Sequence, residues 1–457
     1  MLCRSFRVSF GLVIALAVAI LCNIYLVFLL WTGGGPQSDY HYEFTVPPII
    51  SQEAPIKIKD SGLNLNYLKN MLNSSTNNVD KTSSSRSVIS MMNKLKRELK
   101  SRGAKTVDTL GSSSKWVSPI MLIPSFTPEL GDMIKYLQTS PITRASVPRV
   151  GTQLKVMITL EGGQKALLKP QWYDRHHRID GPDVYSGADR HNGEIVGFYL
   201  SLLLGMRRTP VAIGRMINLT SEILANADRD LAATFFKNNQ SHSCFYGVCR
   251  YCKPELSVCG GEGDLGDLIE STVILWLNDV KLKSNRSPWQ RTYKKNVRAL
   301  WETDDDFCMK LQKQNKVFRL EAGKRRLLDL IDASVFDFLI SNGDRHHYEI
   351  IDGYSEAAVL LLDNGKSFGR PDLDYVDILA PLYQCCVIRK STYKRLEMLE
   401  SGPLGTLIEE LTLKDSLIGP LLTDEHVQAI NRRLGKVMRT IQLCAQVKSW
   451  DDVLVPY

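Results

Sequence analysis

The sequence predicts an α+β fold of two unequal lobes, a smaller strand-rich half followed by a mostly helical one, with a cleft between them. A membrane-spanning helix precedes both. Three observations predict this. Strand-forming residues flank a Gly-Gly turn at 162–163 and a helical pattern follows them. Helical periodicity then dominates from Leu327 to about Lys448. An uncharged apolar run fills 10–31. Strands first and helices afterwards indicate segregated layers rather than alternating βαβ units.

The elements follow in order. Arg4 and Arg7 precede the apolar run from Phe10 to Trp31, in which Asn23 is the main polar interruption. About 20 apolar residues cross a bilayer. The run ends in bulky Phe28, Leu29, Leu30 and Trp31 rather than in the small residues of a cleavage site, which favours a retained anchor. Cleavage near Gly33 to Gly35 is the alternative. Basic residues stay on the cytosolic side, so 1–9 form a cytosolic tail and everything after Trp31 is lumenal. Residues 32–114 read as a stem. Ser, Asn and Lys crowd Asn73 to Ser87, too polar to bury a core. Within the stem a short amphipathic helix is expected from Val88 to Lys100, with Ile89, Met92 and Leu95 on one side.

The strand-rich lobe spans 115–277. Gln153 to Thr159 alternates, Glu161-Gly162-Gly163-Gln164 makes the hairpin turn, and Ala166 to Lys169 is the returning strand. Asn192 to Leu204 reads as a helix with Ile195, Phe198 and Leu202 inward. A cysteine-rich loop covers 244–263, and Val273 to Leu277 is a short buried strand. The helical lobe spans 278–457. It contains a strong amphipathic helix from Leu327 to Ile340 and a strand from Val359 to Leu362.

Composition sets the compartment. The chain has 457 residues, 44% hydrophobic and 23% charged, as in ordinary globular proteins. Its net charge of +8 suits an anionic partner such as a nucleotide, a glycan or a membrane surface, or more simply a mildly basic solvated surface. No nucleic-acid partner is expected. Eight of the ten cysteines are lumenal, and an oxidising lumen favours disulfides among them. Asn73, Asn218, Asn239 and Asn285 each begin an N-x-Ser/Thr sequon for glycosylation.

The most pointed segment is Asn342-Gly343-Asp344-Arg345-His346-His347-Tyr348-Glu349, which follows a buried helix although its residues are poor core material. Asp363-Asn364-Gly365 follows an apolar run. Phosphoryl transfer needs such a pair, one Asp for the attacking hydroxyl and one for the metal on the phosphates. Glu349 stands where the usual catalytic loop has a metal-binding Asn, and Asp363-Asn364-Gly365 stands for Asp-Phe-Gly. Lys169, on a strand before Pro170, and Glu194, at the start of a helix, match the lysine–glutamate pair that reaches the phosphates. Asp189, in Asp189-Arg190-His191-Asn192-Gly193-Glu194, is a further metal-ligand candidate. Plainer readings exist: Asp344 as a helix cap, Asp363 as a turn former, Lys169 and Glu194 as a surface ion pair, or Asp344 with His346 and His347 as a zinc site. Gly162-Gly163 is a weak phosphate cradle. Trp172, Tyr173, Arg175 and Trp289 are candidates for contact with a sugar.

Taken together, Gly151-Thr152-Gln153-Leu154-Lys155, Asp189 to Glu194, Cys244-Phe245-Tyr246-Gly247, Asp344 to Glu349 and Gln384-Cys385-Cys386 resemble the secretory-pathway atypical kinases. That family includes the Golgi casein kinase, glycosaminoglycan xylosylkinase and a pseudokinase. The resemblance covers roughly residues 115–457. Glu161 to Lys165, Ser287-Pro288-Trp289, Lys366-Ser367-Phe368-Gly369 and Leu379 to Gln384 are most similar to the xylosylkinase branch, while Lys390-Ser391-Thr392-Tyr393 is closer to the casein-kinase branch.

The resemblance implies an atypical protein-kinase-like bilobal fold and a catalytic Asp344. It implies Asp189 and Asp363 on a divalent metal, manganese or else magnesium, and ATP held by Gln153, Lys169, Glu349 and Asp363, with Glu194 orienting Lys169. Ile274, Leu275, Trp276 and Leu277 would form the hinge against adenine. Disulfides Cys244–Cys259, Cys249–Cys252, Cys308–Cys385 and Cys386–Cys444 are implied. So are a Golgi membrane location as a single-pass type II protein, a Gal-Xyl proteoglycan linker as substrate, and homo- or heterodimers within the family. A secretory Ser/Thr protein kinase and a pseudokinase activator are the alternatives.

Overall fold

A five-stranded antiparallel sheet builds the first lobe, in the order β1 (Ile142–Ser146), β2 (Val156–Leu160), β3 (Lys165–Pro170), β8 (Leu268–Leu275), β4 (Ala212–Asn218). The computed structural model describes residues 62–74, 85–148, 151–181, 183–261, 266–415 and 417–456. The expected anchor at 10–31 lies outside them, and among the described residues no helix is long and apolar enough to cross a membrane.

Among the described residues four helices precede the sheet: α1 (Leu65–Asn73), α2 (Arg86–Leu99), α3 (Thr106–Ser113) and α4 (Leu130–Thr139). The first three lie in the segment expected to be a stem. Its folded part buries Leu68 and Leu72 of α1 and Val88, Met92, Leu95 and Leu99 of α2. Sparse leucines at helical spacing thus suffice, despite the polar composition around them, because the neighbouring lobe supplies the other half of the core. The spacing 88-92-95-99 also corrects the expected stripe, since Ile89 points outward at 52% exposure. Glu98 of α2 is fully buried and paired with Arg207, Nη2 to Oε2 at 2.7 Å. A buried carboxylate survives only with such a partner.

In the sheet, β1 (Ile142–Ser146) pairs with β2 (Val156–Leu160), and the Glu161–Gln164 turn returns the chain along β3 (Lys165–Pro170). Gly162 and Gly163 both have positive φ, 92° and 87°, which a two-residue hairpin turn needs. Helix α5 (Asn192–Leu203) is buried on every side, as an all-apolar helix must be. It packs on β4 (Ala212–Asn218) and β8 (Leu268–Leu275). The expected strand at 273–277 is the end of β8, with Trp276 and Leu277 just beyond it. A small sheet of β5 (Phe235–Lys237), β6 (Ser243–Phe245) and β7 (Val258–Cys259) carries the cysteine-rich segment.

In the second lobe β9 (Leu282–Arg286) pairs with β10 (His347–Ile351) across a long excursion that holds α6 (Phe307–Gln314) and α7 (Glu321–Ile340). Helix α7 starts six residues earlier than its apolar pattern suggests. It is buried almost all round rather than amphipathic, because its aspartates are neutralised: Asp329 by Arg208 and Arg389, and Asp337 by Arg345. The segment 359–362 is extended but makes a single bridge, Leu360 to Glu349, and is not a full strand. Helices α8 (Lys390–Glu400), α9 (Leu404–Asp415) and α10 (Asp424–Val447) close the lobe. The four disulfides join the pairs that the resemblance implied; Cys308–Cys385 and Cys386–Cys444 tie α6 and α10 to the adjacent cysteines 385 and 386.

Candidate active site

Lys169 is the centre of the site. It sits opposite Thr272 in the β3–β8 register, just before Pro170 ends the pairing, and is 3% exposed. Its ammonium lies 2.6 Å from Glu194 Oε1, 2.7 Å from Asp363 Oδ1 and 3.1 Å from Asp189 Oδ2. Burial alone would lower its pKa, but Asp363, Glu194 and Asp189 hold the lysine well above its usual range. Lys169 in turn holds Asp363 well below the ordinary carboxylate range. This is no surface ion pair.

The carboxylates arrive from three places. Glu194 lies in the first turn of α5, where the helix dipole favours an anion. Asp189 precedes that helix. Asp363 has left-handed backbone, φ 55°, a region that non-glycine residues populate sparsely and Asp more readily than most. Gly365 lets the turn close on Asp189, since a β-carbon there would lie 2.6 Å from Asp189 Cγ. Asn364 ties the pieces together. Its N–H donates to Glu194 Oε1 at 3.0 Å, its amide donates to Glu194 Oε2 at 3.2 Å, and its Oδ1 accepts from Arg345 at 2.8 Å. Arg345 also forms a fork on Asp337, at 2.6 and 2.7 Å, and donates to the carbonyl of Leu362. Asp344, one residue before Arg345, is thereby fixed to the same frame.

Asp344 starts no helix, so it is not a cap. Its Oδ1 accepts from the Tyr293 hydroxyl at 2.5 Å, and His346 Nδ1 lies 3.3 Å away. Asp344 raises the His346 pKa through that hydrogen bond. A cavity of about 60 Å³ opens against this loop, lined by Ser287, Arg291, Tyr293, Gly343 and His346 among others. A larger cavity, about 590 Å³, lies against Trp116, Gln164, Trp276, Leu277 and Tyr354. Lys169, Asp189, Asp344 and Asp363 do not line it, whereas Leu275, Trp276 and Leu277 do.

Two lysines that sequence reasoning left without a role belong here. Lys155 is buried, and an added β-carbon on Gly151 would sit 2.2 Å from its Nζ. Burial first, then the neighbouring Lys169, lowers its pKa. Lys366 donates to the carbonyl of Gly187 and stands 3.9 Å from Asp189 Oδ1; burial lowers its pKa, and Asp189, Asp344 and Asp363 are among the charges acting on it. A lysine at the fifth position of the Gly151 motif and one immediately after Asp363-Asn364-Gly365 were the available signals.

Other expected residues sit at the margin. Gln153 is half-buried in the loop over Lys155. Glu349 lies in the β9–β10 ribbon and accepts from Ser284 Oγ at 3.1 Å. Ile274 and Leu275 end β8, while Trp276 already spends its N–H on the Lys165 carbonyl and its carbonyl on Gln164. Trp289 is core, its indole N–H donating to Gln384 at 2.8 Å. Arg175 is committed to Glu270 and to the Pro420 carbonyl, and Tyr173 stacks on His177. Trp172 is half-buried. Asn73 and Asn239 are exposed; Asn218 and Asn285 are half-buried.

The charges suit a metal–nucleotide complex. Asp189, Glu194, Asp344 and Asp363 face Lys155, Lys169 and Lys366, so a triphosphate would add negative charge that only a cation offsets. Asp189 and Asp363 each give one oxygen to Lys169 and retain another, and the Asp363 side chain is 68% exposed. Hard oxygen donors of this kind suit manganese or magnesium. Among the described residues no three His, Cys, Asp or Glu side chains are placed to share one ion, so Asp344, His346 and His347 do not assemble a metal site by themselves.

The chain is similar to known proteins over most of its length. The family model described as Golgi casein kinase, C-terminal, Fam20 matches residues 108–453. A glycosaminoglycan xylosylkinase of Danio rerio is 42% identical over 360 residues, covering 78% of this chain and 85% of that protein. The Homo sapiens glycosaminoglycan xylosylkinase is 43% identical over 345 residues, 75% and 82% of the two chains. Among solved structures, hydra Fam20 with sugar superposes with a TM-score of 0.71 at 38% identity, over 76% of this chain and 98% of that one. The Golgi casein kinase with Mn/ADP bound superposes at 0.70 and 30% identity, over 89% and 96%. With a family model matched over most of its length and relatives above 40% identity, the chain belongs to the Fam20 kinase family.

Proposed function

We propose that this chain is an ATP-dependent kinase that phosphorylates the 2-hydroxyl of xylose in the linker between glycosaminoglycan and protein. The observation that carries the reading is the convergence of Asp189, Glu194 and Asp363 on the buried Lys169, with Asp344 fixed to them through Arg345 and Asn364. The acceptor follows the relatives: xylosylkinases are 42–43% identical, whereas the Homo sapiens extracellular serine/threonine kinase of the family is 36% identical.

In this reading Asp344 orients the sugar hydroxyl and takes its proton as the new oxygen–phosphorus bond forms and the bond from the γ-phosphorus to the bridging oxygen breaks, releasing ADP. A hydroxyl of high pKa loses that proton late in transfer. Lys169 and Lys155 draw the phosphates in, with Gln153 and Glu349 on the nucleotide and 274–277 against adenine. Glu194 holds Lys169 in place. Asp189 and Asp363 hold the divalent cation, which neutralises charge on the phosphates when bound. The protein acts in the Golgi lumen, anchored by 10–31, with glycans on the sequon asparagines.

The test supplies purified full-length chain with labelled ATP and MnCl2, and offers a Gal-Xyl glycan and casein side by side. Label is expected on Gal-Xyl, and expected to vanish in Asp344→Asn. Label on casein alone would establish a protein kinase instead.

A further inference from the structure

Tyr293 lies in the excursion after β9, at left-handed φ 54°. Bulky residues avoid that region unless their surroundings impose it. Here they do. Arg291 is pinned by Asp377 at 2.6 Å and lies 5.7 Å over the Trp301 ring, while Thr292 Oγ1 donates to the Val297 carbonyl and accepts from Lys294 N at 3.3 Å. The phenol ring meets Tyr185 edge-on at 4.7 Å and His346 at 5.7 Å. This anchoring delivers one hydroxyl to one atom, Asp344 Oδ1, at 2.5 Å. Burial, and then Asp344 itself, push the phenol's pKa well above its usual value, so it keeps its proton and acts as a donor.

His346 approaches the same oxygen. Asp344 Oδ2 has no hydrogen bond among the described residues. A carboxylate torsion is broad, and Lys366 is a nearby cation that could draw the group away. A charge-assisted bond to Oδ1 prevents that. Tyr293 also lines the cavity at the Gly343–His346 loop, yet it makes no hydrogen bond to the Lys169 cluster.

We infer that Tyr293 is a positioning residue for phosphoryl transfer: it holds Oδ1 of Asp344 so that Oδ2 is aimed at the acceptor hydroxyl. This rests on Asp344 being the base. The test measures Tyr293→Phe, Asp344→Asn and the double variant as full-length chains, with ATP, MnCl2 and a Gal-Xyl acceptor. Loss of a hydrogen bond to a charged group predicts kcat lower by roughly ten- to a hundredfold in Tyr293→Phe. KM for ATP and for acceptor should stay within about twofold, and Mn–ADP affinity should not change. The double variant should be no slower than Asp344→Asn. Wild-type kcat in Tyr293→Phe beside an inactive Asp344→Asn overturns the inference alone, as does a loss confined to acceptor KM. Full transfer by Asp344→Asn overturns the reading of Asp344 and this inference with it.

Discussion

Replacing Lys169 by methionine tests the electrostatic centre of the site. The ammonium is 3% exposed and within 3.1 Å of three carboxylates. Methionine fills the stem but leaves Asp189, Glu194 and Asp363 facing one another. Removing one partner of a buried ion pair costs about 3–5 kcal/mol. Unfolding entropy is roughly 2.1 cal/mol/K per residue, so a unit of about 400 residues, Ile58–Tyr457, changes by near 0.8 kcal/mol per degree. The apparent Tm of the metal-free variant should therefore fall by roughly 4–6 °C. A cation should then take the ammonium's place. Manganese at a hundred times its Kd contributes about 2.7 kcal/mol, roughly 3 °C, and should raise the variant's Tm more than the wild type's. Scanning fluorimetry in EDTA and in MnCl2 reads both effects, and a labelled-ATP assay should find the variant inactive. A metal-free Tm within about 1 °C of wild type would refute the claim that the three carboxylates depend on Lys169.

Three further outcomes are expected. Gly365→Ala pushes a β-carbon to 2.6 Å from Asp189 Cγ, so Mn–ADP affinity should drop at least about tenfold by calorimetry, with about 1–3 kcal/mol of overpacking in stability. His426 contacts the Phe368 carbonyl at 3.1 Å, and burial lowers its pKa from 6.5 to about 4. Below pH 6.5 the unfolded chain takes a proton that the folded chain refuses. The contribution of roughly 3 kcal/mol is thus complete above pH 6.5 and lost as pH falls to about 4, and a Tm-against-pH series should flatten across that window in His426→Gln. Cys386–Cys444 closes 58 residues, so the double serine variant should lose about 4 kcal/mol of stability in denaturant titration under non-reducing conditions.

The legible parts of the sequence were those where local pattern and global role coincide. The Gly-Gly turn at 162–163 announced β2 and β3, and through them Lys169; the first turn of α5 announced Glu194. Elements whose partners are remote were not legible. Strand β9, Leu-Lys-Ser-Asn-Arg, has no apolar alternation and exists because β10 pairs with it from beyond α7. Helix α1 hides in a stretch that reads as polar linker, since only Leu68 and Leu72 need a core. In the site, nothing local marks Lys155 or Lys366; the fold buries both near Asp189, which is 34 and 177 positions away from them. Tyr293 carries no motif at all; its role depends on a distance of 2.5 Å to a residue 51 positions later.

Asn364 shows why the departure from Asp-Phe-Gly has structural content. A phenylalanine at that position contributes packing alone. Asn364 is 1% exposed, and its side chain spends its donors on Glu194 and the Leu361 carbonyl and its acceptor on Arg345. A buried amide satisfied on both ends favours one arrangement strongly, because every alternative strands a polar group. The α5 helix, through Glu194, is thereby tied to the loop that carries Asp344. The same Glu194 holds the Lys169 ammonium at 2.6 Å, so one amide ties α5, β3 and the Arg345 loop together.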